Sequence, residues 1–448
     1  MDERELLHLT ADYAADFLAS LDERPIREEA TLDELTAALG GPLPQSGMDP
    51  RAVIASLVDA ADPGVVASPS GRWFGFVLGG SLPAALAADW LTSTWDQNAG
   101  LYAAGPAASV VEEVCRGWLA ELLGLPPHVS AAYVTGCQMA HVTALAAARH
   151  AVLERAGWDV AADGLAGSPK ISVVVGAKRH VTVDRALRLL GIGVSSLVVV
   201  PADDQGRMRV DQLPPVAGPT IVCGQAGEVN TGAFDDLVAI ADHVAGTDAW
   251  FHVDGAFGLW AAASPSLRHL VRGAERADSW ATDAHKWLNV PYDSGIAFCA
   301  NPDAHHAAMA VTAAYLVQSE GSRRDQVDWT PEFSRRARGF TIYAAIRELG
   351  AAGIAELVER CCERARQFAA VLSEAGMTVL NDVVLNQVLV RADADVAARI
   401  RQDGTCWLSG TEWDGGDALR ISVSNWRTTS EDVERSAAAI VAAATVHA

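Results

Sequence analysis

Ala249-Trp250-Phe251-His252-Val253-Asp254-Gly255 is the stretch that decides the fold, because it is a short apolar run that ends on a carboxylate. An apolar run of this length predicts a buried strand of a parallel sheet. A buried charge without a partner is costly, so we expect Asp254 to have one.

Apolar segments alternate with helical patterns on both sides of this strand. The other strand-like segments cover 131–135, 171–175, 196–200, 220–223 and 296–298, and helical patterns at 139–152, 182–190 and 235–244 lie between several of them. This alternation predicts βαβ units and an α/β fold with a mostly parallel sheet. Ligands of such folds bind at the carboxyl ends of the strands.

We predict three regions: an N-terminal helical arm over 1–70, a large domain over 71–340 and a smaller C-terminal α/β domain over 341–448. The arm has little apolar surface of its own, so it should pack on the larger body or on a second subunit. The polar segment of about 313–334 is predicted to be a mobile loop, since loops of this length are usually lids or disordered.

Composition argues against several kinds of partner. The chain of 448 residues carries a formal net charge of −22, which would repel nucleic acid and anionic membranes. Seven cysteines without a C-x-x-C pair predict neither a disulfide framework nor a zinc site, and we expect no metal. The first residues lack a signal-peptide pattern and no apolar run reaches membrane-spanning length, so we expect a cytoplasmic location.

Lys286 lies downstream in the stretch Thr282-Asp283-Ala284-His285-Lys286-Trp287-Leu288. Among aromatic neighbours its ammonium would be desolvated and its pKa lowered toward nucleophilic use. A lysine that forms a Schiff base and a carboxylate that keeps a pyridine nitrogen protonated are what pyridoxal 5'-phosphate needs from a protein. Most Asp and Lys residues are solvated surface groups, but the apolar context of this pair favours the cofactor.

Two further positions suit a phosphorylated, planar ligand. Gly136, Cys137 and Gln138 follow a predicted strand and open a predicted helix, where backbone N–H groups bind phosphate, although such a turn is as often purely structural. The early strands are not followed by a G-x-G-x-x-G or Walker motif. His180 follows the strand at 171–175 and could stack on a ring or transfer a proton, or be a satisfied structural histidine.

These residues stand in longer motifs that resemble a known family, the group II pyridoxal-phosphate-dependent amino acid decarboxylases, which have the aspartate aminotransferase type I fold. The motifs cover 252–258, 278–279, 283–287 and 291–295, with support from 230–235, 335–336, 419–420, Asn425 and 428–429. The resemblance extends over nearly the whole chain from about residue 70. It implies a seven-stranded sheet and a homodimer with active sites at the interface, in which the N-terminal arm wraps the partner.

The resemblance also implies roles for individual residues. Lys286 would be the Schiff-base lysine, Asp254 the partner of the pyridine nitrogen, Ala256 the contact under the ring and His180 the stacking imidazole. Cys137, Gln138 and Ser279 would surround the phosphate, with His285 beside it. Arg420 is the candidate for the substrate carboxylate, with a buried structural ion pair as the alternative.

Two departures from the family pattern bear on the reaction. Glu228 stands where a hydroxyl is usual and would change the substrate side of the pocket. Gln326 stands where the family has a loop tyrosine that protonates the substrate carbon, and glutamine cannot act as a general acid. Related plant enzymes without this tyrosine produce aldehydes. Trp73 and Phe76 could line an apolar substrate pocket, or simply pack in the core.

The predicted reaction is therefore decarboxylation of an L-amino acid to an amine. The alternatives are another pyridoxal-phosphate reaction on the same scaffold, namely oxidation to an aldehyde, aldol cleavage or transamination, or a catalytically idle protein that binds the cofactor. The presence of both Asp254 and Lys286 argues against an idle protein, which would need neither.

Overall fold

The computed structural model describes residues 2–311 and 323–445, and within these it contains two sheets. The strands are β1 (Ser130–Val134), β2 (Ser172–Gly176), β3 (Leu197–Val200), β4 (Thr220–Gln225), β5 (Trp250–Asp254), β6 (Ser279–Asp283), β7 (Gly295–Cys299), β8 (Gln387–Arg391), β9 (Ser409–Trp413) and β10 (Gly416–Ser422). The helices are α1 (Glu3–Ser20), α2 (Leu32–Leu39), α3 (Pro50–Ala61), α4 (Pro83–Trp95), α5 (Pro106–Leu122), α6 (Cys137–Arg155), α7 (Val160–Asp163), α8 (Val181–Leu189), α9 (Leu237–Val244), α10 (Ala284–Trp287), α11 (Pro302–Met309), α12 (Gly339–Glu374), α13 (Val396–Asp403) and α14 (Ser430–Thr445).

The large sheet has the order β1-β7-β6-β5-β4-β2-β3. β7 runs antiparallel to both of its neighbours, and the remaining pairs are parallel. The predicted α/β fold with a mostly parallel seven-stranded sheet is confirmed. Since β5 lies at the centre of the sheet, its carboxyl end is flanked on both sides by the ends of parallel strands.

Every residue of β5 is buried, as its apolar sequence predicts. Successive side chains of a strand point to opposite faces of the sheet. Trp250 packs in the apolar cluster that holds α6 and α8, whereas Phe251 and Val253 pack in the cluster that holds α9 and α12. Burial on both faces explains why the strand has no polar alternation.

The smaller sheet has the antiparallel order β8-β10-β9 and packs with α12, α13 and α14. α12 begins at Gly339, so the predicted boundary at 340/341 falls within its first turn. Gly350 interrupts this helix with a φ of 62°, a left-handed conformation that glycine adopts without steric cost.

α1, α2 and α3 form the helical N-terminal segment that the sequence predicts, and none of their residues is buried. Within the described residues, none of the helices combines the length and the apolar character needed to cross a membrane.

The segment predicted to be a mobile loop is only partly covered, because 312–322 lie outside the described residues. The part that follows is packed on the large domain. The Val327 N–H donates to the Gly100 carbonyl at 2.9 Å, and the Tyr102 N–H donates to the Asp325 carboxylate at 2.7 Å. Gln326 is buried, with neither polar atom of its amide hydrogen-bonded within the described chain.

Candidate cofactor and active site

A cavity of about 340 Å³ lies at the carboxyl ends of the parallel strands. Most of the predicted site residues line it, namely Phe76, Gly136, Cys137, Gln138, His180, Asp254, Ala256, His285, Lys286 and Arg420. A larger cavity of about 850 Å³ lies between α5 and α12. That second cavity has no lysine in its wall, so we place the chemistry in the smaller one.

Lys286 lies on α10, immediately after β6, and its ammonium is paired with the last residue of that strand. Its Nζ is 3.2 Å from Oδ2 of Asp283. Burial alone would lower the pKa of Lys286, but attraction to Asp283 outweighs burial and raises it. The expectation of a lowered lysine pKa is therefore wrong for the protein without cofactor. The sequence does place an acid three residues before the lysine, which is a signal that could have indicated the pair.

Asp254 ends β5, and its side chain faces the N-terminal turns of α6. Oδ2 lies 3.4 Å from Nε2 of His141, and Oδ1 accepts the N–H of Ala256 at 3.2 Å. Burial alone would raise the pKa of Asp254, but its contact with His141 holds it well below its usual range. The partner that a buried charge requires is thus His141, which sequence reasoning did not single out.

The Gly136 turn joins β1 to α6 and brings a helix N-terminus to the cavity. The Cys137 N–H donates to Oδ1 of Asp283 at 2.6 Å. Gln138 donates through Nε2 to the Thr182 carbonyl at 3.2 Å, while its buried Oε1 has no hydrogen-bond partner in the described chain. Burial raises the pKa of the Cys137 thiol well above its usual range.

His180 precedes α8 and caps it, since its Nδ1 accepts the Thr182 N–H at 3.4 Å and lies 2.8 Å from the Thr182 hydroxyl. Burial lowers the pKa of His180 despite the attraction of Asp254. A neutral, oriented imidazole suits stacking better than proton donation near neutral pH.

Ser279, Glu228 and Trp73 do not line the cavity. The Ser279 hydroxyl lies in the core with Trp250 and His252. The Glu228 carboxylate accepts the N–H groups of Asn230 and Thr231 at 2.7 and 2.8 Å, so it closes a turn. Trp73 stacks on Trp407 with a centroid distance of 4.4 Å.

Arg420 reaches the cavity from β10 in the small sheet. Within the described residues its guanidinium has neither an ion pair nor a hydrogen bond, and its Nε is buried. Burial lowers its pKa, although the charge of Glu228 opposes this. Within the described chain, Arg420 therefore has no acidic partner that would form the structural ion pair considered as the alternative.

The cavity fits pyridoxal phosphate on the chemistry of its own residues. The ionised Asp254 lies at the end of β5, and Lys286 follows the end of the neighbouring strand β6. The N-terminus of α6 provides backbone N–H donors for a phosphate, and the Gln138 amide there still has an oxygen without a partner in the described chain. Gly136 also allows this turn to lie close to His285, because a Cβ at position 136 would come within 3.2 Å of the His285 ring.

Comparison with known proteins agrees with this chemistry. The sequence profile described as the pyridoxal-dependent decarboxylase conserved domain matches residues 38–392. The chain belongs to this family. It is thus a group II decarboxylase, a carboxy-lyase that uses pyridoxal phosphate.

Relatives and solved structures cover nearly the whole decarboxylase. An aromatic-L-amino-acid decarboxylase of Bacillus atrophaeus is 27% identical over 96% of this chain and 93% of its own length. A 4-hydroxyphenylacetaldehyde synthase of Rhodiola rosea is 25% identical over 80% of this chain and 75% of its own. The crystal structure of Oryza sativa TDC with PLP and tryptamine superposes with a TM-score of 0.90 at 23% identity, covering 99% of this chain and 98% of that one.

Proposed function

We propose that the decarboxylase removes the α-carboxylate of an apolar or aromatic L-amino acid and releases the amine and CO2. The observation that carries this proposal is the joint presence of the ionised Asp254 and the partly buried Lys286 in one cavity, whose wall also holds Arg420, an arginine with no ion pair or hydrogen bond within the described residues. When bound, pyridoxal phosphate supplies an aldehyde carbon that takes up amines and a pyridine ring that withdraws electrons from the substrate carbon.

Different residues of the cavity would bind different parts of the cofactor. Lys286 would bind the aldehyde carbon, and Asp254 would hold a proton on the pyridine nitrogen. His180 and Ala256 would contact the two faces of the ring. Gly136, Cys137 and Gln138 at the start of α6 would hold the phosphate, with His285 at its side.

Arg420 would bind and orient the carboxylate of the substrate, because an unpaired guanidinium in a buried wall offers directed donors to an anion. Four apolar side chains also line the cavity, those of Phe76, Val77, Val229 and Phe257, beside the polar Thr182 and Gln225. This wall supports an apolar or aromatic substrate side chain, and the relative from Bacillus atrophaeus acts on aromatic L-amino acids by its name.

Lys286 is also the group that would return a proton to the substrate carbon. Its raised pKa keeps Nζ protonated when it is not bound to an aldehyde, whereas the lowered pKa of His180 leaves that imidazole neutral. A second candidate is oxidative decarboxylation by O2 and water to an aldehyde, CO2, ammonia and hydrogen peroxide, which Gln326 favours because this residue supplies no acid to the substrate carbon. The relative from Rhodiola rosea is an aldehyde synthase by name.

A homodimer is supported by the N-terminal helices, which bury no residue within the chain. They leave large apolar side chains in contact with solvent: Leu7, Leu32, Leu39, Val53 and Leu57. Apolar surface of this kind is typical of a subunit interface. A cytoplasmic location is supported by the seven cysteines, all of them free.

The reaction is tested by incubating the cofactor-loaded protein with each proteinogenic L-amino acid and measuring CO2, amine, aldehyde and peroxide. We expect equimolar CO2 and amine from one or a few apolar or aromatic substrates. Aldehyde with peroxide would support the second candidate instead, and consumption of an amino acid without CO2 would refute both. Lys286→Ala should abolish turnover, while Lys178→Ala, which alters a lysine outside the cavity, should not.

A further inference from the structure

Five buried polar side chains form a continuous hydrogen-bonded chain that ends at Asp254. Trp250 Nε1 lies 2.8 Å from the Ser279 hydroxyl, which lies 2.9 Å from Nδ1 of His252. His252 Nε2 lies 3.0 Å from Nδ1 of His141, whose Nε2 is 3.4 Å from Oδ2 of Asp254. All five are at most 5% exposed, so water does not compete for these contacts.

The fold brings these groups to one face of the large sheet. Trp250, His252 and Asp254 alternate along β5, and therefore share the face that α6 covers. Ser279 is directly opposite His252 in the parallel neighbour β6. His141 lies in the second turn of α6, over the end of β5.

The two ends of the chain restrict the directions of its hydrogen bonds, because an indole N–H only donates and an ionised carboxylate only accepts. In the arrangement that satisfies every group, the Ser279 hydroxyl accepts from Trp250 and donates to Nδ1 of His252. His252 then donates through Nε2 to His141, and His141 donates through Nε2 to Asp254. In this arrangement every polar hydrogen of the chain has an acceptor and both imidazoles are neutral.

The opposite arrangement would place a proton on both nitrogens of His141. His252 would then donate to Ser279, whose oxygen already accepts from Trp250, and the Ser279 O–H would have no acceptor in the described chain. An unsatisfied buried hydroxyl is costly. Burial also lowers the pKa of His252 to about 3, so this ring stays neutral in the physiological range.

In the first arrangement Asp254 accepts a hydrogen bond from a neutral imidazole, and no imidazolium competes with the pyridine nitrogen for the charge of the carboxylate. We propose that His141, His252 and Ser279 are positioning residues that hold Asp254 ionised and oriented toward the pyridine nitrogen, and thereby set the protonation of the cofactor ring. The inference rests on the proposed role of Asp254 and deepens it. It also gives Ser279 a function other than the phosphate contact that the sequence predicts.

The same hydrogen bonds account for a cluster of metal-ligand types at this place. Atoms of Cys137, His141 and Asp254 lie within 4.8 Å of one another. In the neutral chain Nε2 of His141 carries a hydrogen and has no lone pair for a metal ion. The absence of a metal site stays a prediction.

The test compares Ser279→Ala with Ser130→Ala in the cofactor-loaded protein. Ser130 is a matched control, since its buried hydroxyl lies 2.8 Å from Nδ1 of the buried His305, remote from the cavity. Two NMR readouts are independent of turnover: the ¹⁵N resonance of a cofactor labelled at the pyridine nitrogen, and the histidine ¹⁵N resonances that report tautomers.

In the unmodified protein we expect a protonated pyridine nitrogen, with His141 and His252 both neutral and carrying hydrogen on Nε2. Ser279→Ala should shift the pyridine resonance toward that of an unprotonated ring and change the His252 tautomer pattern. Ser130→Ala should leave both readouts unchanged. Trp250→Phe, which removes only the first donor, should shift them less and in the same direction, and serves if Ser279→Ala fails to fold.

A doubly protonated His141 in the loaded protein would overturn the proposal. So would a pyridine resonance that neither Ser279→Ala nor Trp250→Phe moves. These outcomes are distinct from failure of the proposed reaction, because the ¹⁵N readouts need bound cofactor and no substrate. If the protein decarboxylates no amino acid but shows the expected shifts, the positioning role of the hydrogen-bonded chain stands and the proposed function is refuted.

Discussion

Asp283→Asn should reverse the direction in which the pKa of Lys286 is shifted in the cofactor-free protein. In the structure Nζ is 3.2 Å from the carboxylate, which overrides the effect of burial. Unit charges at this distance attract each other by about 5 kcal/mol at an effective dielectric constant of about 20. Asparagine removes this attraction but leaves the lysine buried, so the pKa of Lys286 should fall from above its ordinary value to below it.

The assay is favourable because the chain contains only three lysines, Lys170, Lys178 and Lys286. Lysine labelled with ¹³C at Cε gives three side-chain signals, each of which can be titrated. The other two lysines serve as internal references. A Lys286 signal that still titrates above the ordinary lysine range in Asp283→Asn would refute the claim that Asp283 controls its charge.

The same substitution changes how stability depends on pH. With a raised pKa, Lys286 stabilises the folded state below its unfolded pKa, and this contribution is lost as the pH rises through the folded pKa. With a lowered pKa the sign is opposite, so the stability of Asp283→Asn relative to the unmodified protein should rise with pH in the alkaline range. Breaking a buried ion pair typically costs about 3–5 kcal/mol; the cost here should be lower because Lys286 is partly exposed, and it should decrease as the lysine loses its proton at alkaline pH.

Three further substitutions test other parts of the structure. Arg335→Met would leave Glu112 buried without its 2.8 Å ion-pair partner, both being fully buried, and should lower the free energy of unfolding in urea by about 3–5 kcal/mol; a loss below about 1 kcal/mol would contradict this. Gly295→Ala places a Cβ against the backbone of Gly136 and should weaken cofactor binding measured by equilibrium dialysis, whereas unchanged binding would show that the turn can move. Arg420→Met should raise KM for the substrate at least about tenfold, consistent with loss of about 1.5–3 kcal/mol from a charged hydrogen bond; a fall in kcat alone would argue against a binding role.

Much of the fold could be predicted because a buried strand has an apolar sequence that can be recognised within a few residues. The run over 249–253 is apolar at every position except His252, since β5 is covered on both faces. β6 was missed as a strand, although it presents Lys286. Its sequence, Ser-Trp-Ala-Thr-Asp, mixes polar and apolar residues, although all five are buried. Ser279 is hydrogen-bonded to Trp250 and His252, and Asp283 accepts the N–H of Cys137.

The candidate site was predicted less completely than the fold. Asp254 ends an apolar strand and Lys286 has aromatic neighbours, so the local sequence was sufficient to select both as candidates. Glu228 was expected to face the substrate, but its carboxylate binds the N–H groups of its own turn. A sequence pattern gives the residue type at a turn and not the direction in which the side chain points, which depends on the local backbone.

The α/β fold and the central strand followed from the sequence alone, which also singled out the lysine and the carboxylate that we propose hold the cofactor, because each leaves a pattern within a few neighbouring residues. Only the tertiary structure decided the electrostatics of that pair. His141 and His252 are 111 positions apart, and they meet because α6 crosses the face of β5. The charge of Lys286 is set by a 3.2 Å contact with Asp283 and that of Asp254 by its contact with His141, because electrostatic energies depend on distances and burial that spacing along the chain does not fix.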